Sequence, residues 1–192
     1  MSATAALIQE FDQESKTTRR VLERVPSDKL AWKPHAKSMS LGQLAMHVAS
    51  APAYITGWAL QDATEMTGGS SPEAASTAEV LAAHDAGATK TRETLSKIGD
   101  AGLGAMWTMK MPDGTTVMTM PKAALVRSIA FNHVYHHRGQ LSVYLRMCDI
   151  PVPALYGPSA DAANGDDLAQ PVARSVRQER GGGPRRHRQG QR

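Results

Sequence analysis

A single cysteine stands in the 192-residue chain, aromatic residues make up only 5% of it, and two of them are phenylalanine. One cysteine closes no internal disulfide and builds no cysteine-based zinc knuckle. No apolar run approaches the eighteen or so residues of a membrane span. The opening M-S-A-T-A-A-L-I-Q-E-F-D-Q-E lacks a basic n-region and a long apolar segment, so no secretory signal is expected. These absences point to a soluble protein of the reducing cytoplasm, with no membrane partner. The length favours one domain with a substantial core.

The charge is uneven. From Arg174 to Arg192 there are seven arginines and one glutamate, or +6, against +4 for the whole chain, which leaves residues 1–173 near −2. The basicity belongs to a tail, and the body is mildly acidic. The tail R-G-G-G-P-R-R-H-R-Q-G-Q-R would attract polyanions through phosphate neutralisation. It interleaves no aromatic for base stacking, so no specific nucleic-acid binding is expected.

Four helical segments can be read. Leu7, Ile8, Phe11, Val21 and Leu22 place a helix over about 5–25, closed by Pro26. The second has the clearest start: Ser40 stands three residues before Gln43, a capping-box spacing, with Met39 and Leu44 as a hydrophobic staple. It should run to about residue 60, followed by a T-G-G-S-S-P loop. A third helix is expected from near Ser76 to Gly99, on Val80, Leu81, Leu95 and Ile98. M-W-T-M-K-M, the turn P-D-G-T and V-M-T-M read as a β-hairpin over 106–120. The fourth helix starts near Pro121 and ends near Cys148, before Pro151 and Pro153. Beyond Ser159 almost no large apolar group occurs, so disorder is expected. The expected fold is all-α: a four-helix bundle over residues 1–158, a short hairpin before the last helix, and a disordered basic tail over 159–192.

Bundle cores hold metal sites on facing helices, which turns attention to the seven histidines. His133 and His137 are four apart and project from one helix face about 6 Å apart along the axis. At about 100° per residue they share a stripe with Val126, Ala130, Leu141, Tyr144 and Cys148, a stripe free of Lys and Arg and predicted to face inward. On the second helix Leu44, His47, Ala51, Tyr54 and Trp58 form a comparable stripe. A bundle would bring His47 opposite the pair. Three neutral imidazoles with an open position suit a catalytic zinc-type site, where a bound water or thiol becomes acidic. The plainer alternative is hydrogen-bonded core histidines. H-x-x-x-H lacks the glutamate of H-E-x-x-H, which argues against a zincin-type protease.

Other residues weigh less. His136 and Arg138 fall off the metal axis and read as helix-flank packing and an interface salt bridge, or as outer contacts to ligands or an anion. Gln140 lies at the margin of the stripe and is placed to bond a ligand or a neighbour. His84 reads as a core or surface residue, and Tyr54, Trp58 and Tyr144 as bundle core. Glu10, Asp12 and Glu14 are acid/base candidates by neighbourhood only, with a solvated face the plainer reading. Cys148 lies eleven residues past His137, about 16 Å along the helix, too far to be a fourth ligand. It reads as a buried, inert thiol. The paired methionines of the hairpin suit strand packing better than copper(I).

L-G-Q-L-A-M-H-V-A, N-H-V-Y-H-H-R-G-Q-L-S-V-Y-L-R and P-A-L-Y-G-P-S-A-D resemble the DinB-like (YfiT-like) superfamily, over roughly residues 5–161. The resemblance implies a four-helix bundle, often dimeric, with a divalent metal held by three histidines that fall here on His47, His133 and His137. The ion expected there is zinc or nickel. The expected activity is transfer of a low-molecular-weight thiol such as mycothiol or bacillithiol to a small-molecule substrate, with metal-dependent hydrolysis or non-catalytic metal binding as alternatives. A third class, a bundle that acts through partners bound by the tail, stays open. The Arg-rich tail departs from the family pattern.

Overall fold

The computed structural model describes residues 2–161. The predicted disordered tail lies outside the described residues, apart from its first three positions. Four helices and a small sheet follow one another as α1 (Ala3–Leu22), α2 (Leu41–Trp58), β1 (Ala63–Glu65), α3 (Thr77–Leu103), β2 (Met106–Lys110), β3 (Thr116–Pro121) and a last helix, α4. α4 opens with an α-helical turn (Lys122–Ala124), passes through a π-helical stretch (Leu125–Phe131) and continues as α-helix over Asn132–Met147. The predicted helical bundle is therefore observed.

Capping explains where the helices begin. Ser2 accepts a hydrogen bond from the Ala5 amide, so α1 starts two residues earlier than expected. It also ends earlier, at Leu22. The Ser40–Gln43 capping box is complete: Ser40 Oγ accepts from the Gln43 amide at 3.0 Å, and Gln43 Oε1 accepts from the Ser40 amide at 3.0 Å. Two of the unpaired donors of the first turn are thereby satisfied. Ser76 caps α3 in the same way through the Glu79 amide. Gly99 does not end α3. It takes φ 61°, a left-handed conformation open to glycine, kinks the helix, and lets it resume to Leu103.

The hairpin forms as predicted, and a third strand joins it. β1 pairs in parallel with β2, while β2 and β3 are antiparallel, giving the order β1-β2-β3. β1 is only three residues long, too short to show a period of two in the sequence. Trp107 of β2 is fully buried, stacks on Trp58 at the end of α2 (centroids 5.9 Å, planes 2° apart), and donates from Nε1 to Thr64 Oγ1. One aromatic pair thus fastens the sheet to the bundle.

The core is aliphatic. Val21, Leu22, Leu41, Leu44, Val48, Leu95, Leu125, Val126, Leu141 and Leu145 are all fully buried. α2 and α3 approach closely at Gly87, where a Cβ would stand 3.1 Å from the Ala49 carbonyl oxygen. A glycine lets the backbones meet there without crowding that carbonyl, which belongs to the residue two past His47.

The buried face of α4 is not the predicted one. Val126, Ala130, Leu141 and Cys148 are buried as expected, but the α-helical part also buries Val134, Arg138 and Leu145, and leaves His133, His137 and Tyr144 half-buried. Its core face is turned about 60° from the stripe drawn at 100° per residue. The π-helical stretch is the cause. Its wider turn carries more than four residues per revolution, so one uniform angle fails across it. Tyr54 is a second correction: it is 59% exposed, although Trp58 and Tyr144 pack against the core. Asp161 ties the segment that follows α4 back to it, pairing with Arg146 and accepting from the Val152 amide at 2.9 Å.

Candidate metal centre

α2 and α4 face each other, and their histidines meet. His47, His133 and His137 each offer a ring nitrogen, and the three nitrogens lie within 4.8 Å of one another. The ring centroids are 4.4–4.9 Å apart in edge-to-face arrangement. His47 Nε2 stands 2.7 Å from His133 Nε2.

Two of the rings have their other nitrogen engaged. His47 Nδ1 bonds Ser71 Oγ at 2.9 Å, and His137 Nδ1 bonds Gln140 Oε1 at 2.7 Å. An amide oxygen only accepts, so His137 carries its proton on Nδ1 and leaves the Nε2 lone pair free. These outward bonds hold the rings in orientation, as similar bonds do for ligating histidines in metal proteins generally. Gln140 was placed at the margin of the histidine stripe by sequence, and it meets His137. Ser71 was missed: it comes from the β1–α3 connection, 24 residues from His47, and no local pattern marks it.

Partial burial and mutual repulsion keep the cluster neutral. His133 is pushed down to about 4, first by desolvation, then by His137, His47 and His136. His47 is lowered by burial and by His137. His137 is lowered by burial and by His136, against the opposing bond from Gln140. At pH 7 all three imidazoles are bases, the form that ligates a metal. Neutral nitrogens 2.7 Å apart repel as paired acceptors unless a proton or a cation sits between them. The donor set and its outer bonds therefore fit a borderline divalent ion.

A pH prediction follows for metal-free protein. Depressed histidines take up protons more readily in the unfolded chain, so stability is complete above the ordinary value near 6.5 and falls as pH drops toward 4. Thermal unfolding of chelator-treated protein between pH 7.5 and 4.5 should show a falling midpoint. A flat profile would mean that the cluster carries no such penalty.

His136 is exposed beside His137, with ring centroids 4.9 Å apart, and faces outward. Arg138, expected on the helix flank in an interface salt bridge, is instead 1% exposed. It is held within the chain by Glu14 Oε2 at 2.8 Å, the Glu14 carbonyl, Thr18 Oγ1 and the Tyr156 hydroxyl. An arginine enters the core because its partners come from α1 and the C-terminal segment, which periodicity along α4 does not reveal. Glu14 is thus no solvated-face charge. Asp12 pairs with Arg92, and Glu10 accepts from Tyr135 and pairs with Arg127. None of the three acids belongs to the histidine cluster. Cys148 is buried, and desolvation raises its thiol. His84 is a core residue, 5% exposed.

No helix among the described residues is long and apolar enough to cross a membrane. No curated protein matches the chain. Among solved structures it is similar to a DinB-like protein of Bacillus cereus, at 21% identity and TM-score 0.59, covering 78% of this chain and 95% of that one. It is similar also to the DinB-like protein YjoA of Bacillus subtilis, at 18% identity and TM-score 0.61, covering 80% and 99%. At such identities the likeness concerns the fold. The profile of the DinB family itself matches residues 1–171, and with the bundle and its three clustered histidines in place, the chain belongs to the DinB family.

Proposed function

We propose that the chain is a metal-dependent enzyme in which His47, His133 and His137 hold a divalent ion, zinc or nickel, and which uses a low-molecular-weight thiol for S-transfer to a small electrophile. The observation that carries this reading is the convergence of three imidazole nitrogens within 4.8 Å, two of their rings braced from outside. A divalent ion held by three neutral ligands keeps its full charge and makes a coordinated thiol or water markedly more acidic. The chain's own part is positional. The i, i+4 spacing sets two rings on one helix face, α2 supplies the third, and Ser71 and Gln140 fix ring orientation. The thiol is favoured over hydrolysis by family resemblance. The same resemblance, with the single cysteine, supports a cytoplasmic homodimer whose catalytic unit is residues 1–158.

Stripped protein reloaded with Zn²⁺ or Ni²⁺ should consume bacillithiol or mycothiol in the presence of 1-chloro-2,4-dinitrobenzene, forming the thioether and releasing chloride. The reaction should vanish on stripping. Loaded protein that consumes thiol no faster than the metal-free form would remove the transferase reading and leave hydrolysis or non-catalytic metal binding.

A further inference from the structure

A second polar cluster joins α1 to α3 and shares no residue with the three histidines. Ser15 Oγ is 3.1 Å from His84 Nε2, and His84 Nδ1 is 3.1 Å from Asp85 Oδ1. Arg19 grips Asp85 with two nitrogens, Nε to Oδ1 at 3.0 Å and Nη2 to Oδ2 at 3.2 Å. Ser15 is 7% exposed and His84 5%. Because a carboxylate faces Nδ1, the ring proton resides there, and Nε2 accepts from the Ser15 hydroxyl. Burial lowers His84 below its ordinary value, against the opposing effect of Asp85, so the ring is a neutral base. Hydroxyl, imidazole and carboxylate therefore stand in the order of nucleophile, base and orienting acid.

Space exists on both sides of the pair. An open cleft of about 270 Å³ is lined by Ser15 and His84 together with Lys16, Arg19, Thr89 and Arg92. On the inner side Ser15 and His84 also border a cavity of about 20 Å³ among Phe11, Phe131 and Val134. That is room for about one water molecule. Of the three cations at the cleft, Arg19 is engaged by Asp85 and Glu23 and Arg92 by Asp12, which leaves Lys16 as the one without an acidic partner among the described residues.

We propose that Ser15, His84 and Asp85 form a second, metal-independent acyl-transfer site, with Ser15 Oγ as nucleophile and small esters of anionic acids as its substrate class. Attack forms the Oγ–acyl bond and breaks the ester C–O bond. The Ser15 proton passes to His84 Nε2 and then to the departing alkoxide. Water, deprotonated by His84, releases the acid and restores Ser15. Ser15 lies within α1, whose backbone N–H groups are committed to the helix, so charge on the carbonyl oxygen falls to Lys16 at the cleft. The turnover expected is accordingly modest.

Diisopropyl fluorophosphate tests the nucleophile directly: the Oγ–P bond forms, the P–F bond breaks, and His84 takes the proton. Peptide mass spectrometry should find one adduct, on Ser15, formed equally with and without EDTA. His84→Gln should slow labelling about 100-fold or more. Asp85→Asn, at an exposed position, should also slow it while the unfolding midpoint stays in place, which guards against a His84 variant that fails to fold. Ser15→Ala should show no adduct on that peptide. No adduct on Ser15 after prolonged exposure, or equal rates in wild type and Asp85→Asn, would reduce the cluster to core hydrogen bonding. Labelling abolished by EDTA would assign the reactivity to the metal centre instead.

Discussion

His133→Ala is expected to yield protein without bound metal. His133 supplies one nitrogen of the cluster, 2.7 Å from His47 and on the same helix face as His137. Two remaining imidazoles on different helices leave a bidentate site open to water and buffer. Elemental analysis of untagged protein, purified without chelator, should give near one divalent ion per wild-type chain and a trace in the variant. Stoichiometric metal in His133→Ala would overturn the assignment, and wild-type protein that takes up neither Zn²⁺ nor Ni²⁺ would make the histidines structural. The outer bond is expected to count for less. Gln140→Ala leaves the ligands in place but frees the His137 ring, and should weaken affinity about 10–100-fold in a chelator competition. The fold should survive both changes, because His133, His137 and Gln140 lie outside the fully buried face of α4.

The second large effect concerns stability. Arg138 is 1% exposed, and its guanidinium meets Glu14 Oε2 at 2.8 Å, with the rings of Tyr135 and Tyr156 against it at 5.2 and 5.1 Å. Glu14→Ala strands this charge, and should cost about 3–5 kcal/mol in denaturant unfolding. Arg138→Met strands the carboxylate instead. That carboxylate retains the Tyr156 hydroxyl at 2.6 Å and some access to solvent, so the cost should be smaller. The double variant Glu14→Gln, Arg138→Met removes both charges and should recover much of the loss, since a buried ion pair adds little net stability over apolar packing. A Glu14→Ala midpoint within about 0.5 kcal/mol of wild type would show that water reaches Arg138. The arginine follows His137 directly, so the same test asks whether this anchor to α1 sets the angle of the ligand helix. If so, Glu14→Ala should also loosen metal binding.

Legibility differed between neighbouring residues for physical reasons. The start of α2 was readable to the residue, because a capping box is a local bond between Ser40 and Gln43. The histidine pair was readable as a pair, because i, i+4 geometry holds in any α-helix. The depth of the pair was not, since the π-helical stretch over Leu125–Phe131 altered the angle per residue just upstream. Tyr54 misled for a related reason: it shares a stripe with His47, yet that stripe leaves the core toward the end of α2, where Tyr54 rests edge-on against Trp58 in contact with solvent.

The sequence by itself determined the helices, the caps of α2 and α3, the hairpin and the three histidines, all of which rest on interactions within a few residues or on a repeat along one element. The tertiary structure alone decided that Arg138 enters the core, that Ser71 braces His47, that β1 joins the hairpin, and that Ser15 meets His84. Each of these contacts joins residues 24 to 124 positions apart. Such pairings are selected by packing of whole elements, and no local periodicity encodes which side chains will then face one another.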